Sequence, residues 1–215
     1  TAGAGSTGSD AADEPATGTK RAVREIIDGG AMDTDTADDA IHSHVPGVIN
    51  NGSFEIATGD DAIHADETVE VNAGTINVTS SYEGIEGTIV TINGGDIQIV
   101  ASDDGLNVAG GVDGSGTLNA TGEVGGDTFR GPGGGGPGGG GMPPEETPGE
   151  YYLYINGRTI SIDAYGDGID SNGYVVMTGG TVTIDGSTSS RDGALDHNGT
   201  FEMIGGTVVG THIDG

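Results

Sequence analysis

Acidic side chains recur in this sequence at a regular spacing, and carboxylates held in register are potential ligands for metal cations. The recurring acidic position is occupied by Asp39, Asp61, Glu83, Asp104, Asp167 and Asp192. Its first four members are separated by 22, 22 and 21 residues. A second set of potential ligands follows a few positions later: His42, His64, Glu86, Asn107, Asp170 and Asp196. A supersecondary unit of about 22 residues, repeated along the chain, accounts for this spacing.

Short runs of alternating apolar residues lie between the acidic segments. Each run begins with a pair of small residues, as in 73–78, 94–99 and 179–184. Alternation with a period of two, rich in Val and Ile, predicts strands with one buried and one exposed face. The glycine pairs supply the positive φ angles that tight turns between such strands require.

These strands predict an all-β fold, namely a parallel β-helix (β-solenoid) of about seven coils. A repeat of about 22 residues cannot bury its apolar face alone, so it must stack on its neighbours. Equivalent positions in successive coils then lie one strand spacing apart, roughly 4.8 Å. A β-propeller and a β-sandwich are competing architectures, but neither places an acidic corner at a constant position.

Composition and charge exclude several classes of protein. The chain has 215 residues, with 45 Gly, 34 Asp+Glu, 6 Lys+Arg, no Cys and a formal net charge of −28. This charge excludes a conventional nucleic-acid binder, and the glycine content argues against a helical bundle. No apolar run is long enough for a membrane-spanning helix. The acid excess is typical of a salt-loving source, where ions screen self-repulsion.

One solenoid domain is predicted over residues 21–215, preceded by a flexible tail at 1–20. A Gly/Pro-rich insertion loop interrupts the domain at 112–150, and its segment 131–141 contains nine Gly and two Pro. Such a segment has no side chains for a core, so we expect it to leave the rod between two coils.

The acidic position predicts calcium binding. Two carboxylates one coil apart repel by roughly 0.9 kcal/mol in water and by more near a protein surface. Two oxygen ligands on opposite sides of one Ca²⁺ are about 4.6–5.2 Å apart, which matches the coil spacing. The predicted ligands are Asp39, Asp61, Glu83, Glu86, Asp104, Asn107, Asp167, Asp170, Asp192 and Asp196. The alternative is that Asp gathers here because it favours turns and forms a solvated face.

Histidines and tyrosines offer further candidate sites. His42 and His64 would stack and could bind zinc or copper, although stacked polar side chains are the simpler interpretation. Calcium is an improbable ion for them, because neutral imidazole is a poor calcium ligand. We expect Asp38, Asp60 and Asp103 to face outward and Tyr82 and Tyr165 to stack on sugar rings. Strand packing is the alternative role for each tyrosine.

Six runs around the acidic positions resemble the signature runs of the carbohydrate-binding domain-containing proteins, a bacterial and archaeal surface family. These runs are 38–43, 59–66, 81–87, 102–107, 166–173 and 193–196. The resemblance extends from about Arg21 to Val209. It implies a right-handed parallel β-helix of the pectate-lyase-like type with bound calcium. It also implies an extracellular or cell-surface location and non-catalytic binding of polysaccharides such as cellulose and polygalacturonate.

Three functions remain open from the sequence. We expect an exported, calcium-binding module, without catalytic activity, for polysaccharide binding or adhesion. A self-assembling extracellular filament or matrix subunit is the alternative, because the ends of a solenoid expose unpaired strand edges. A polysaccharide lyase or hydrolase is the third, since paired carboxylates can hydrolyse glycosides and Arg191 precedes Asp192 as a candidate base.

Overall fold

The computed structural model describes residues 23–109, 149–187 and 192–211, and regular structure in these ranges is all β. The strands are β1 (Glu25–Ile27), β2 (Ala31–Thr36), β3 (Ile41–Ser43), β4 (Gly47–Ile49), β5 (Ser53–Thr58), β6 (Ile63–Val71), β7 (Thr75–Ser81), β8 (Ile85–Ile92), β9 (Asp96–Ala101), β10 (Leu106–Val108), β11 (Tyr152–Ile155), β12 (Thr159–Ala164), β13 (Ile169–Ser171), β14 (Tyr174–Met177), β15 (Thr181–Asp185), β16 (Phe201–Met203) and β17 (Thr207–Gly210). Within the described ranges, no helix has the length and hydropathy to span a membrane.

The strands wind into a parallel β-solenoid, which confirms the predicted fold class. One sheet has the order β1-β4-β6-β8-β11-β14-β16, and the other has the order β2-β5-β7-β9-β12-β15-β17. A third, shorter face is formed where β3 pairs with β6 and where β10 pairs with β8 and β13. The described residues make about six turns, close to the seven coils predicted. We number the coils from the N-terminus, beginning with β1, β2 and β3.

Aliphatic side chains fill the space between the sheets. Alternate residues of each strand point inward, so β9 buries Ile97 and Ile99 while Gln98 between them is exposed. The same inward positions of β12 hold Ile160 and Ile162, directly paired with those of β9. Identical residues in adjacent coils therefore stack as aliphatic columns, which remove a large apolar area from water.

Stacked asparagines occupy the turn between the two sheets. The Nδ2 group of Asn72 donates to Asn50 Oδ1 at 3.0 Å, and that of Asn93 donates to Asn72 Oδ1 at 2.8 Å. The column continues at Asn156, whose Nδ2 donates to Asn93 Oδ1 at 2.8 Å. Each amide is both donor and acceptor, so the column helps to hold successive coils in register.

The solenoid continues on both sides of the predicted insertion. Strand β11 pairs with β8, and β12 pairs with β9, although the whole of 112–150 lies between them in the sequence. Residues 112–148 of the predicted loop and the whole of the predicted 1–20 tail lie outside the described residues. The first coil after the predicted insertion therefore stacks directly on the last coil before it.

A glycine at the inner side of the acidic corner is required by packing. A Cβ atom added at Gly105 would lie against Ile162 Cγ2 and 2.7 Å from the Gly168 carbonyl oxygen. We expect Gly105→Ala to lower the free energy of unfolding by about 1–3 kcal/mol, measured by urea denaturation. Gly47→Ala is the matched control, because its added Cβ would approach other atoms only to 3.8 Å. Equal stability of the two variants would contradict this packing argument.

Candidate functional site

The coil register assembles two columns of polar side chains at one corner of the rod. We call the first the acidic column; it comprises Asp39, Asp61, Glu83, Asp104 and Asp167. The second column follows on the third face, where strand pairing places His42 beside His64, His64 beside Glu86, Glu86 beside Asn107, and Asn107 beside Asp170. The vertical stacking of like positions, on which the calcium prediction depends, is therefore present.

Carboxylates of the acidic column accept hydrogen bonds from the backbone of the next coil. The Asp61 N–H donates to Asp39 Oδ1 at 3.2 Å, and the Glu83 N–H donates to Asp61 Oδ1 at 3.3 Å. Further along, the Asp167 N–H donates to Asp104 Oδ1 at 2.6 Å, and the Gly193 N–H donates to Asp167 Oδ1. Backbone amides thus stabilise part of the negative charge, a role that the sequence analysis did not anticipate.

Histidines stabilise the acidic column in the first two coils. The His42 Nδ1–H donates to Asp39 Oδ2 at 2.5 Å, and His64 Nδ1 lies 3.2 Å from Asp61 Oδ2. The Glu86 carboxylate of the third coil lies 3.0 Å from the same His64 nitrogen. Burial lowers the pKa of His64, but hydrogen bonding and attraction from Asp61 and Glu86 outweigh this effect and raise the pKa to about 11. His64 is therefore an imidazolium at neutral pH.

A neutral amide stabilises the middle of the acidic column. Asn107 Nδ2 donates to both carboxylate oxygens of Glu83 at 2.7 Å. Both side chains are buried. Glu83 and Asn107, two of the predicted calcium ligands, are thus bonded to one another.

Carboxylates gather without a histidine in the later coils. Ligand oxygens of Asp167, Asp170 and Asp196 lie within 4.8 Å of one another. Burial, with repulsion from Asp170 and Asp103, raises the pKa of Asp104 to about 8. We call Asp104, Asp167, Asp170 and Asp196 the carboxylate cluster.

The pKa of Asp167 reflects the same crowding. Burial raises it, the Gly193 hydrogen bond opposes the rise, and repulsion from Asp196 and Asp192 adds to it, giving a pKa of about 6. The carboxylate cluster consists of hard oxygen donors, the ligands that Ca²⁺ prefers. Its residues therefore fit Ca²⁺ better than the carboxylates of the first two coils, which are already bound to histidines.

The residues predicted to contact a glycan differ in exposure along the corner. The Tyr82 N–H donates to the Asp60 carbonyl, and the Asp103 N–H donates to the Tyr82 carbonyl, so these residues follow one another from coil to coil. Gly166 comes next in this row, and its neighbour Tyr165 has 83% of its surface exposed. Asp38 is exposed and Asp103 is partly exposed. Asp60, predicted to face outward, is only 3% exposed, and one of its carboxylate oxygens lies within 4.8 Å of those of Asp38 and Asp39 in the preceding coil.

Two further groups were not identified from the sequence. His44 and Asp66 each stand two residues after a histidine of the second column, and His44 Nδ1 lies 3.1 Å from Asp66 Oδ2. Tyrosine rings also stack on the outer face of the first sheet, with centroids 5.3 Å apart for Tyr152 and Tyr174. Because His44 and Asp66 each stand two residues after a histidine of the second column, their positions in the sequence would have identified the first group.

Arg191, the candidate base, lies outside the described residues.

Comparison with known proteins identifies a related family. Residues 48–126 match the family model described as carbohydrate-binding domain-containing protein. Within residues 48–126 this match confirms the family resemblance predicted from the corner motifs, and that range includes the corners at Asp61, Glu83 and Asp104. No curated protein matches the chain, and no solved structure matches it. The pectate-lyase-like comparison stays a prediction.

Proposed function

We propose that the protein is a non-catalytic module that binds a polysaccharide along its acidic corner with the help of calcium. The observation that carries this proposal is the match of residues 48–126 to the carbohydrate-binding family. The matched residues supply three successive corners of the solenoid. The resemblance further implies a location at the cell surface, where such a module would act in adhesion.

Exposed groups along the corner support binding of a linear glycan. The Tyr165 ring is almost fully exposed, and an aromatic face is a suitable platform for the apolar face of a sugar. Tyr82 lies two coils earlier, roughly 10 Å along the rod axis, with Asp103 in the coil between them. Carboxylate oxygens such as those of Asp103 can accept hydrogen bonds from sugar hydroxyl groups.

Calcium in the carboxylate cluster would connect the protein to an anionic polymer. The net charge of −28 repels a polygalacturonate-like chain. A Ca²⁺ ion held by Asp167, Asp170 and Asp196 would lower this repulsion and leave coordination positions for glycan oxygens, since Ca²⁺ takes six to eight oxygen ligands. A neutral, cellulose-like polymer would need the ion less.

The binding of polysaccharide tests this proposal directly. We expect the full chain to be retained on insoluble polygalacturonate in calcium and released by a calcium chelator, with cellulose as the neutral comparison. Tyr165→Ala should weaken binding about tenfold through loss of ring stacking. Tyr165→Phe is the matched control and should bind like the unmodified chain.

Two results would contradict the proposal in different ways. If neither polymer retains the protein with or without calcium, the proposed function is wrong. If Tyr165→Ala binds as tightly as the unmodified chain, the glycan lies elsewhere on the surface.

Assembly into a filament is a second candidate function, favoured by the ends of the rod. Ile26 in β1 and Val209 in β17 are exposed large apolar side chains at opposite ends. Among the described strands, β1, β2, β16 and β17 each pair on one side only. Such edges can join parallel copies end to end. Electron microscopy of the purified protein distinguishes filaments from single rods.

A further inference from the structure

Three histidines and an aspartate converge beside the first two coils, away from the carboxylate cluster. His42 belongs to β3 and His44 follows that strand, whereas His64 and Asp66 belong to β6 in the next coil. The two strands pair in parallel, with His42 opposite His64. Their imidazole rings stack at a centroid distance of 4.8 Å.

Ring nitrogens and carboxylate oxygens approach one another at the distances of a coordination sphere. His42 Nε2 lies 3.1 Å from His44 Nδ1, and His44 Nδ1 lies 3.1 Å from Asp66 Oδ2. Asp66 Oδ1 is 3.6 Å from His42 Nε2 and 3.7 Å from His64 Nε2. Ligands at about 2.0–2.1 Å from a tetrahedral zinc ion are roughly 3.3 Å apart, so the separations among His42, His44 and Asp66 suit one such ion.

Outer carboxylates orient two of these rings. His42 Nδ1–H donates to Asp39 Oδ2, and the Nδ1 atom of His64 faces Asp61 Oδ2. The Nε2 atoms are thereby directed toward Asp66. A histidine that binds a metal through one nitrogen commonly donates its other N–H to a carboxylate, which fixes the ring.

An independent observation concerns Glu86, which also faces His64. Its Oε2 atom is buried and lies 3.0 Å from His64 Nδ1, the same nitrogen that faces Asp61 Oδ2 at 3.2 Å. The single hydrogen of Nδ1 is shared with Asp61. A positive charge on the far side of the ring would stabilise this excess of buried carboxylate.

We propose that His42, His44 and Asp66, beside the stacked ring of His64, form a binding site for one divalent transition-metal ion of the zinc class. Imidazole nitrogens select zinc, copper or nickel, whereas calcium and magnesium prefer oxygen ligands. The site is therefore chemically distinct from the carboxylate cluster. It goes beyond the proposed function, because it needs neither a glycan nor calcium.

The position of the site indicates what the ion would do. Two ligands come from the first coil and one from the second, so the ion would link these coils. The apolar residues of the first coil, such as Ile27 and Ile41, are only partly buried. A metal link would therefore stabilise the coil with the least complete core.

Zinc titration of the chelator-treated full chain tests the site. In high salt, which weakens loose binding to surface carboxylates, calorimetry should detect one tight zinc ion per chain. Cobalt(II) should give the visible absorption of a four-coordinate site with nitrogen ligands. His44→Gln and Asp66→Asn should each weaken zinc binding by at least about tenfold. His44 is 81% exposed, so its replacement leaves the core intact.

Two matched variants test whether replacing a histidine or an acidic residue elsewhere in the chain has the same effect on zinc binding. His197→Gln and Asp33→Asn, which lie outside the cluster, should bind zinc like the unmodified chain, and excess calcium should not displace the ion. The inference is overturned if no tight zinc binds. It is also overturned if the cluster variants bind zinc normally or if calcium competes equally, since these results indicate an adventitious ion only.

Discussion

Calcium-free protein is expected to lose stability as the pH rises from about 4 to about 8. The pKa of Asp104 is about 8 in the folded protein, against roughly 3.9 in an unfolded chain. Between these values the folded state holds a proton that the unfolded state has released, so the free energy of unfolding falls with rising pH. Asp167, with a pKa of about 6, adds to the fall between about pH 4 and pH 6.

The expected change is large and calcium should reverse it. The raised pKa of Asp104 corresponds to a loss on the order of 5 kcal/mol between pH 4 and pH 9. Urea denaturation at several pH values, with chelator or with calcium, measures it. Calcium should stabilise the protein far more at pH 9 than at pH 5, because at low pH protons already occupy the carboxylate cluster.

Asp104→Asn separates this effect from the general acidity of the chain. The amide oxygen can still accept the Asp167 N–H, but the side chain no longer ionises. We expect the variant to be more stable than the unmodified chain at pH 9 in chelator and to respond less to calcium. A chelator-treated protein whose stability rises between pH 4 and pH 8 would contradict the crowding of the carboxylate cluster.

Replacing His64 by Leu is expected to destabilise the chelator-treated protein by about 3–5 kcal/mol. His64 is 1% exposed and lies beside the buried carboxylates of Asp61 and Glu86. Loss of the imidazolium leaves these two charges buried without their cation. Denaturation at pH 7 measures the change, because the raised pKa keeps His64 charged there. Its contribution is full below about pH 6.5 and is lost as the pH approaches 11.

Two variants test whether charge, rather than shape, causes this loss. His42→Leu removes a histidine that is 34% exposed, so it should cost less than His64→Leu. Glu86→Gln, added to His64→Leu, should restore part of the stability because it removes one buried charge. If His64→Leu and His42→Leu both lower the free energy of unfolding only slightly, the His64 imidazolium does not stabilise the fold by compensating buried charge.

Much of the fold follows from periodicity alone. Val and Ile alternate with polar residues, and glycine pairs separate the runs, so strands and turns recur every 21 or 22 residues. A chain that repeats in this way returns to the same corner in each coil. The stacking of Asp39, Asp61, Glu83 and Asp104 could therefore be predicted, as could the approximate number of coils.

The partners of each side chain could not be predicted in the same way. Spacing places carboxylates in a column, but it does not show that one oxygen accepts the backbone N–H of the next coil. Nor does it show that Asp60 is buried while Asp103 remains partly exposed. These outcomes depend on the direction of each side chain and on what the adjacent coil places beside it.

The sequence by itself determined a stacked β architecture with an acidic corner, because repeat length and alternation are properties of the chain. Only the tertiary structure divided that corner into parts with different chemistry. His64 meets Asp61 and Glu86, Asn107 meets Glu83, and Asp104 meets Asp170. The physical reason is that charge compensation acts across coils over a few ångströms, between residues that lie far apart in sequence.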